Sequence, residues 1–308
     1  MTFIDGHCDT LTMAMRAGQG LWGFDGHLNL DMLSRFRAPT QVFAIWQKDD
    51  DEVLRAYEHA KASIEFGRGE FIRHGEIIRI AYSFDDVLMN MDEGVASAIF
   101  GLEGAEPIGN SIDVLREFYD DGVRVLTLTW NRKNAVSESI ICEGGAGLTP
   151  FGLEVLSACN EMGILVDVSH LSDKGFWDVA EHSRVPFVAS HSNCKALCGH
   201  RRNLSDDQIR AVAQKNGAIG VNMVVAFLDD NSEADIDTLI RHLEHIANIG
   251  GIDTPAIGGD LDGTARLPKG IDNLLSYEAL YRRIELEFGK DASKIMFANF
   301  LRVFGETI

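Results

Sequence analysis

The sequence is short of the features that would mark several classes of protein. Its five cysteines (Cys8, Cys142, Cys159, Cys194 and Cys198) are an odd number without Cys-x-x-Cys spacing. A disulfide framework is therefore not indicated, and a reducing, cytoplasmic setting is expected. The longest apolar stretch, Gly217 to Leu228, covers about a dozen residues, short of the ~18 that read as a membrane span. No basic segment precedes the apolar strand entered at Phe3, so no signal peptide and no membrane association are expected. Basic residues are few beside acidic ones, 28 against 47, for a formal net charge of −19. A surface of that sign repels phosphate backbones, which argues against a nucleic-acid partner and leaves metal cations and small zwitterions as ligands. There are only 6 prolines, no Gly/Ser/Pro-rich linker and no internal repeat. One domain over residues 1–308 is the reading, a length that barrels of strand–helix units commonly reach.

What is present is alternation. Short apolar runs at Phe3–Cys8, Val42–Gln47, Ser97–Leu102, Val123–Thr129, Ile164–Ser169, Phe187–Ser190, Ala218–Asn222 and Ala256–Gly259 read as eight strands. Between them lie segments with helical periodicity. Thr149-Pro150, Ser172-Asp173 and Ser205-Asp206-Asp207 are helix starts, with caps and negative charge where the helix dipole favours them. Ile236, Leu239, Ile240, Leu243 and Ile246 form one apolar stripe before Gly250-Gly251 ends that helix. A longer excursion runs from Asp49 to Asn90, with a helical Val53–Phe66 and a short apolar Ile77–Ala81. Near-continuous apolar strands alternating with helices predict an α/β fold with a parallel sheet covered on both faces. Eight repeats favour a closed (β/α)8 TIM barrel over a doubly wound open sheet.

Ligand-type residues gather at the C-terminal ends of these strands, where barrel active sites are built. Strand one ends in His7-Cys8-Asp9, and alternation sends His7 and Asp9 to one side with Cys8 elsewhere. The third strand ends at Glu103, the fifth in Asp167-Val168-Ser169-His170, the sixth at His191 and the eighth in Gly258-Gly259-Asp260. Imidazoles and carboxylates suit zinc, and one Glu bridging two ions would leave positions open for water. Singly, each is more often structural. Together at matching strand ends they point to metal, because buried unpaired acids and imidazoles are costly. Other patterns carry no such weight. His242 and His245 lack the HExxH context and read as a solvated helix face. Gly144–Gly147 has no following Lys-Ser/Thr, and Asp260-Leu261-Asp262-Gly263 lacks the rest of a calcium loop. His27, His59, His74, His182 and His200 have no clear ligand spacing.

These residues resemble the membrane (renal) dipeptidases, peptidase family M19 of the amidohydrolase superfamily. The resemblance runs nearly end to end, through Asp5-Gly6-His7-Cys8-Asp9, Gly101-Leu102-Glu103-Gly104, Leu126-Thr127-Leu128-Thr129 and Gly147-Leu148-Thr149-Pro150. It continues in Val166-Asp167-Val168-Ser169-His170, Ser190-His191-Ser192, Arg201-Arg202-Asn203 and Gly258-Gly259-Asp260-Leu261-Asp262-Gly263. The resemblance implies a zinc-dependent dipeptidase with two zinc ions per chain. His7 and Asp9 would hold one, His170 and His191 the other, and Glu103 would bridge them. Asp260 would transfer the proton and Arg202 would bind the terminal carboxylate of a dipeptide. No lysine ends strand four to serve as the carboxylated bridge of other amidohydrolases. A homodimer is the oligomeric expectation.

One departure concerns substrate. Family members place a His after the Leu-Thr-Leu-Thr strand to polarise the scissile carbonyl, whereas here Trp130-Asn131 follows. Asn131 as an oxyanion donor, with Trp130 shaping a subsite, stands beside the plainer reading that Asn131 turns the loop. A lactone, cyclic amide or phosphoester hydrolase on the same metal barrel is the rival enzyme, and a non-catalytic metal-binding protein the rival from another class.

Overall fold

The apolar runs form strands because both their faces are covered. The computed structural model describes residues 1–48 and 50–308. Its strands are β1 (Ile4–Cys8), β2 (Thr40–Ile45), β3 (Ile78–Ile80), β4 (Ala96–Glu103), β5 (Val123–Thr127), β6 (Leu165–Asp167), β7 (Ile219–Val221) and β8 (Pro255–Ile257). All pair in parallel, in the order β6-β5-β4-β2-β1-β8-β7. The short β3 lies along the first half of β4, Ile78 opposite Ala96, while β5 takes the second half, Glu103 opposite Thr127. The result is a curled parallel sheet flanked by helices.

Two expectations about elements are corrected. The excursion after β2 contains β3 as a true strand, and its helix is not Val53–Phe66 but two helices, Asp50–Leu54 and Ala56–Arg73. Asp49, where that excursion was expected to start, lies outside the described residues. Conversely, Phe187–Ser190 is not a regular strand. It makes single parallel bridges, Val188 to Asp167 on β6 and Ala189 to Ile219 on β7. Backbone hydrogen bonds run on both its sides, from Val168 N–H to Val188 O at 2.8 Å and from Gly220 N–H to Ala189 O at 2.9 Å. The ladder is short because the chain turns at once into the His191 loop. Gly258 is required here, since any Cβ on it would overlap the Ser190 carbonyl.

Helix starts follow local chemistry. Thr149 accepts from Gly152 N–H at 2.9 Å with Pro150 in the first turn, and Ser172 accepts from Gly175 N–H at 3.0 Å. Ser205 forms a reciprocal box with Gln208. In the helix Ile236–Gly250 the stripe Leu239, Ile240, Leu243 and Ile246 is buried, and Gly251 at φ 87° ends it. His242 is fully buried too, which corrects its reading as a solvated face.

The core has two layers. Phe3, Phe43, Phe100, Leu126 and Val166 pack outward against the helices. A second cluster takes Ile4, Val42, Ile99 and Val125 from β1, β2, β4 and β5, Leu165 and Ala256 from β6 and β8, and Val188 and Ala218 beside β7. Phe300, Val303 and Phe304 of the C-terminal helix Asn299–Thr307 join that second cluster. No helix among the described residues is long and apolar enough to cross a membrane.

Candidate metal centre

Two buried carboxylates shape the strand ends. Asp5 accepts from the N–H groups of His7 at 3.0 Å and Gly259 at 2.9 Å, and from the Tyr277 hydroxyl. This joins β1 to the turn after β8, where Asp260 N–H donates to His7 O at 3.0 Å. Asp167 does the same for β6. It accepts from Ser169 N–H at 3.0 Å, Ser190 N–H at 2.8 Å, and the Thr127 and Ser190 hydroxyls at 2.7 Å each. Beyond these anchors the backbone leaves ordinary conformations. His170 (φ 68°) and Asp260 (φ 53°) lie in the left-handed region that side chains with a Cβ seldom adopt. Such strain persists where the surroundings impose it, commonly at working sites.

Six of the expected residues form one cluster, three imidazoles around Glu103 and two further carboxylates beside His7. Its Oε1 lies 3.6 Å from His7 Nε2, 3.1 Å from His170 Nε2 and 3.5 Å from His191 Nε2. The last two nitrogens are 3.0 Å apart. His7 Nε2 also stands 3.4 Å from Asp9 Oδ1 and 3.9 Å from Asp260 Oδ1, while Cys8 joins the outward core. The donor atoms of His7, Glu103 and His191, and those of His7, Asp9 and Asp260, each fall within the span of one ion. A Cβ on Gly263 would meet the Asp260 carboxylate, so the glycine leaves that carboxylate room in its present position.

The imidazoles are held from behind. Ser190 Oγ donates to Asp167 and sits 2.7 Å from His191 Nδ1, so it accepts that ring's N–H and leaves Nε2 with its lone pair. Asn131 Oδ1 lies 3.0 Å from His170 Nδ1 and fixes the same tautomer there. Burial, then Arg202 and His7, hold His170 well below its ordinary pKa; burial, then His7 and Arg202, do so for His191. Both are neutral imidazoles at pH 7. Burial pushes the Glu103 carboxyl well up and the Asp260 carboxyl to about 7. Burial alone would lower His7, but Glu103, Asp9 and Asp260 outweigh it and raise the ring to about 10. The cluster therefore draws in positive charge, which a proton on His7 or a bound cation supplies. His7 Nε2 and Asp9 Oδ1 are buried and make no hydrogen bond of proper geometry. Orphaned imidazole and carboxylate donors around shared points fit divalent metal.

A cavity of about 430 Å³ opens over the cluster. Asp9, Glu103, His170, Arg202 and Asp260 line it, with Trp46, Trp130, Asn131, Ile141, His200, Val224 and Phe227. Arg202 is 5% exposed, and its Nε and Nη2 have no hydrogen-bond partner among the described residues. Burial lowers it to about 10, so it remains charged at neutral pH.

Three contributors were not expected from sequence. Asn222, at the end of β7, donates to Asp260 Oδ2 at 3.0 Å. His200 stacks on Phe227 at 4.3 Å and accepts from Arg202 N–H at 3.3 Å. Trp46 lies against Trp130, ring centres 5.0 Å apart. For Asn222 a signal existed, since it follows a strand at the same level as the clustered His and acid residues. The other two had none.

The family model for membrane dipeptidase, peptidase family M19, matches residues 1–308. An uncharacterized protein from the pqqA 5' region of Klebsiella pneumoniae is 33% identical over 239 residues, 73% of this chain and 88% of that protein. Dipeptidase tcpJ of Claviceps purpurea is 29% identical over 297 residues, 91% of this chain and 69% of that one. Among solved structures, a metallo peptidase from Rhodobacter sphaeroides, liganded with a phosphinate mimic of the dipeptide L-Ala-D-Ala, superposes with a TM-score of 0.92 at 25% identity. The match covers 100% of this chain and 99% of that one.

Proposed function

The chain belongs to peptidase family M19, the membrane dipeptidases, and from that premise we propose that it is a zinc-dependent dipeptidase with two ions per chain. The observation that carries this reading is the convergence of three imidazoles on one buried carboxylate oxygen, Glu103 Oε1, beneath a cavity that also holds a buried, unpaired Arg202. His7 and Asp9 would hold one ion, His170 and His191 the other, with Glu103 shared. Three imidazoles with carboxylates are a zinc-type donor set. When bound, such ions supply an acidified water and polarise the scissile carbonyl.

The chain's own residues do the rest. Asp260, its Oδ2 fixed by Asn222, takes the water's proton and passes it to the leaving amine; a carboxyl near 7 is suited to both directions. Arg202 presents a planar fork to the substrate's terminal carboxylate, which selects free dipeptides over longer chains. Asn131 orients His170 through its oxygen, and its amide nitrogen is the end available as a donor toward the substrate. A Trp130 wall shapes a subsite.

We also infer that the sheet closes into a (β/α)8 barrel forming one domain over residues 1–308. The hydrogen bonds of Val188 and Ala189 to both β6 and β7 support closure, as does the inner layer to which eight successive staves each give one side chain. All five cysteines are free, which supports a cytoplasmic setting.

The test is direct. Purified protein is expected to carry up to two zinc equivalents, to lose dipeptide hydrolysis on chelation and to regain it with zinc. The screen covers L,L-, L,D- and D,D-dipeptides, with C-terminally amidated forms turned over poorly because Arg202 loses its partner. Full activity without divalent metal would overturn the reading.

A further inference from the structure

The cavity has two unlike walls. On one, the Arg202 guanidinium sits 5.6 Å from the Phe227 ring, and Phe227 carries His200. On the other, Trp46 and Trp130 lie 5.0 Å apart, and Trp130 is 6.4 Å from the ring of His170. Trp46 is held firmly. Arg16 lies 4.0 Å over its ring, donates to its carbonyl at 3.1 Å, and is itself paired with Glu52. Trp46 is therefore a fixed apolar backing against which Trp130 lies.

Charge narrows the choice of substrate further. The acidic residues lining the cavity are Asp9, Glu103 and Asp260, all within the metal cluster. Among the described residues its one cation is Arg202, and burial with the neighbouring Arg202 and Arg201 lowers His200 so that it is neutral at pH 7. Once Arg202 takes the substrate carboxylate and the cluster takes the scissile amide, no lining charge among the described residues remains to pair a charged side chain. A charge brought there unpaired would be costly.

We propose that the Trp46–Trp130 plate seats the side chain of the substrate's N-terminal residue, and that the preferred class is dipeptides with a large apolar or aromatic first residue. This rests on the dipeptidase reading. The C-terminal residue is placed by its carboxylate on the Arg202 and Phe227 wall, and the scissile amide lies at the metal cluster. The Trp plate, beside His170, is then the wall left for the other residue. Planar aromatic faces gain from stacking beyond simple area burial, and a pocket built for bulk discriminates by roughly ten-fold or more per missing group.

The experiment compares kcat/KM for Phe-Ala, Ala-Ala, Glu-Ala, Lys-Ala and Ala-Phe with zinc-loaded enzyme, in whichever stereochemical series is turned over. Phe-Ala is expected to exceed Ala-Ala, Glu-Ala and Lys-Ala by ~10-fold or more. Trp130→Ala should bring the Phe-Ala to Ala-Ala ratio to within about three-fold, and Trp130→Phe should keep most of it. Because the readout is a ratio within one enzyme, a partly unfolded preparation does not mimic the result. A flat wild-type profile, or a preference that appears in Ala-Phe and is the one Trp130→Ala removes, overturns the assignment while leaving the dipeptidase reading intact. Absence of hydrolysis of every dipeptide sinks both.

Discussion

Asp260 combines a left-handed backbone, a buried carboxyl raised to about 7, and one oxygen tied to Asn222 while the other faces His7. Burial, the largest cause of its shift, keeps the proton affinity close to neutral, which is what a group that both accepts and returns a proton needs. Asp260→Asn keeps the shape and the Asn222 neighbour but removes the basic oxygen. We expect zinc content to be retained and kcat to fall ~10²–10⁴-fold; near-normal turnover in zinc-replete protein would assign the proton transfer elsewhere. Asn131 invites a finer dissection, because its oxygen serves His170 and, in the reading proposed above, its nitrogen meets the substrate. Asn131→Ala should weaken metal binding by about 10–100-fold in chelator competition, the usual cost of losing a ligand's outer partner. Asn131→Asp restores the acceptor and should restore most of that affinity. If it does so with kcat still depressed, the amide nitrogen is an oxyanion donor; if metal affinity is unmoved in both variants, the oxygen's role is refuted. At this scale the gathering of His and acid side chains at one place was legible, since a His or acid at the end of a buried strand has few other reasons to be there. Asn222, His200 and Trp46 were not, because a neutral amide, a loop histidine and an aromatic ring carry the same local signal in a core or a turn as in a site.

Among elements, the helices were read closely and the strands less so. Caps are local chemistry, so Thr149, Ser172 and Ser205 could be placed from neighbours alone. The lengths of strands are set by partners instead. Ile164–Ser169 shrinks to Leu165–Asp167, and Phe187–Ser190 makes only bridges, because Asp167 and Ser190 turn their backbones toward the site. The helix Ile236–Gly250 shows what periodicity overlooks. Its His242 shares the buried stripe, accepts from Cys194 N–H at 3.1 Å through Nδ1 and donates from Nε2 to Leu228 O at 2.9 Å. Burial, with His245 and Arg241 adding repulsion, lowers the ring to about 4 although the Leu228 bond opposes this. Above pH 6.5 the ring is neutral folded or unfolded and contributes no pH dependence. As pH falls below 6.5, the unfolded chain takes up a proton that the folded one refuses until about 4, so stability declines across that window. Between pH 7.5 and 5 the wild type should lose about 2 kcal/mol more in urea unfolding than His242→Gln. Equal losses would show that the ring titrates alike in both states.

For the molecule as a whole, the α/β class and the parallel arrangement followed from alternation, but which short run forms a regular strand did not. Ile78–Ile80 and Phe187–Ser190 are of similar length and apolarity, and only the folded chain shows the first paired along half of β4 and the second bridging β6 and β7. Nor did any sequence signal reveal what fills the inner layer. Its strand residues are partly small, Ala218 and Ala256 among them, and side chains of that size leave space within the curl of the sheet. The C-terminal helix supplies the missing volume: Phe300 is 2% exposed, reaches Gly6 on β1, and stacks with Phe304 at 5.9 Å. Gly6 is thus matched to Phe300, sequence-distant residues that complete one packing unit. If the sheet is closed around this layer, its walls cannot collapse into a void, and the cost of a cavity is felt in full. Phe300→Ala is then expected to lower unfolding free energy by about 3–5 kcal/mol, seen as a reduced urea midpoint at unchanged slope. An open sheet could relax around the gap, and a loss below about 1 kcal/mol would argue for that arrangement and against closure.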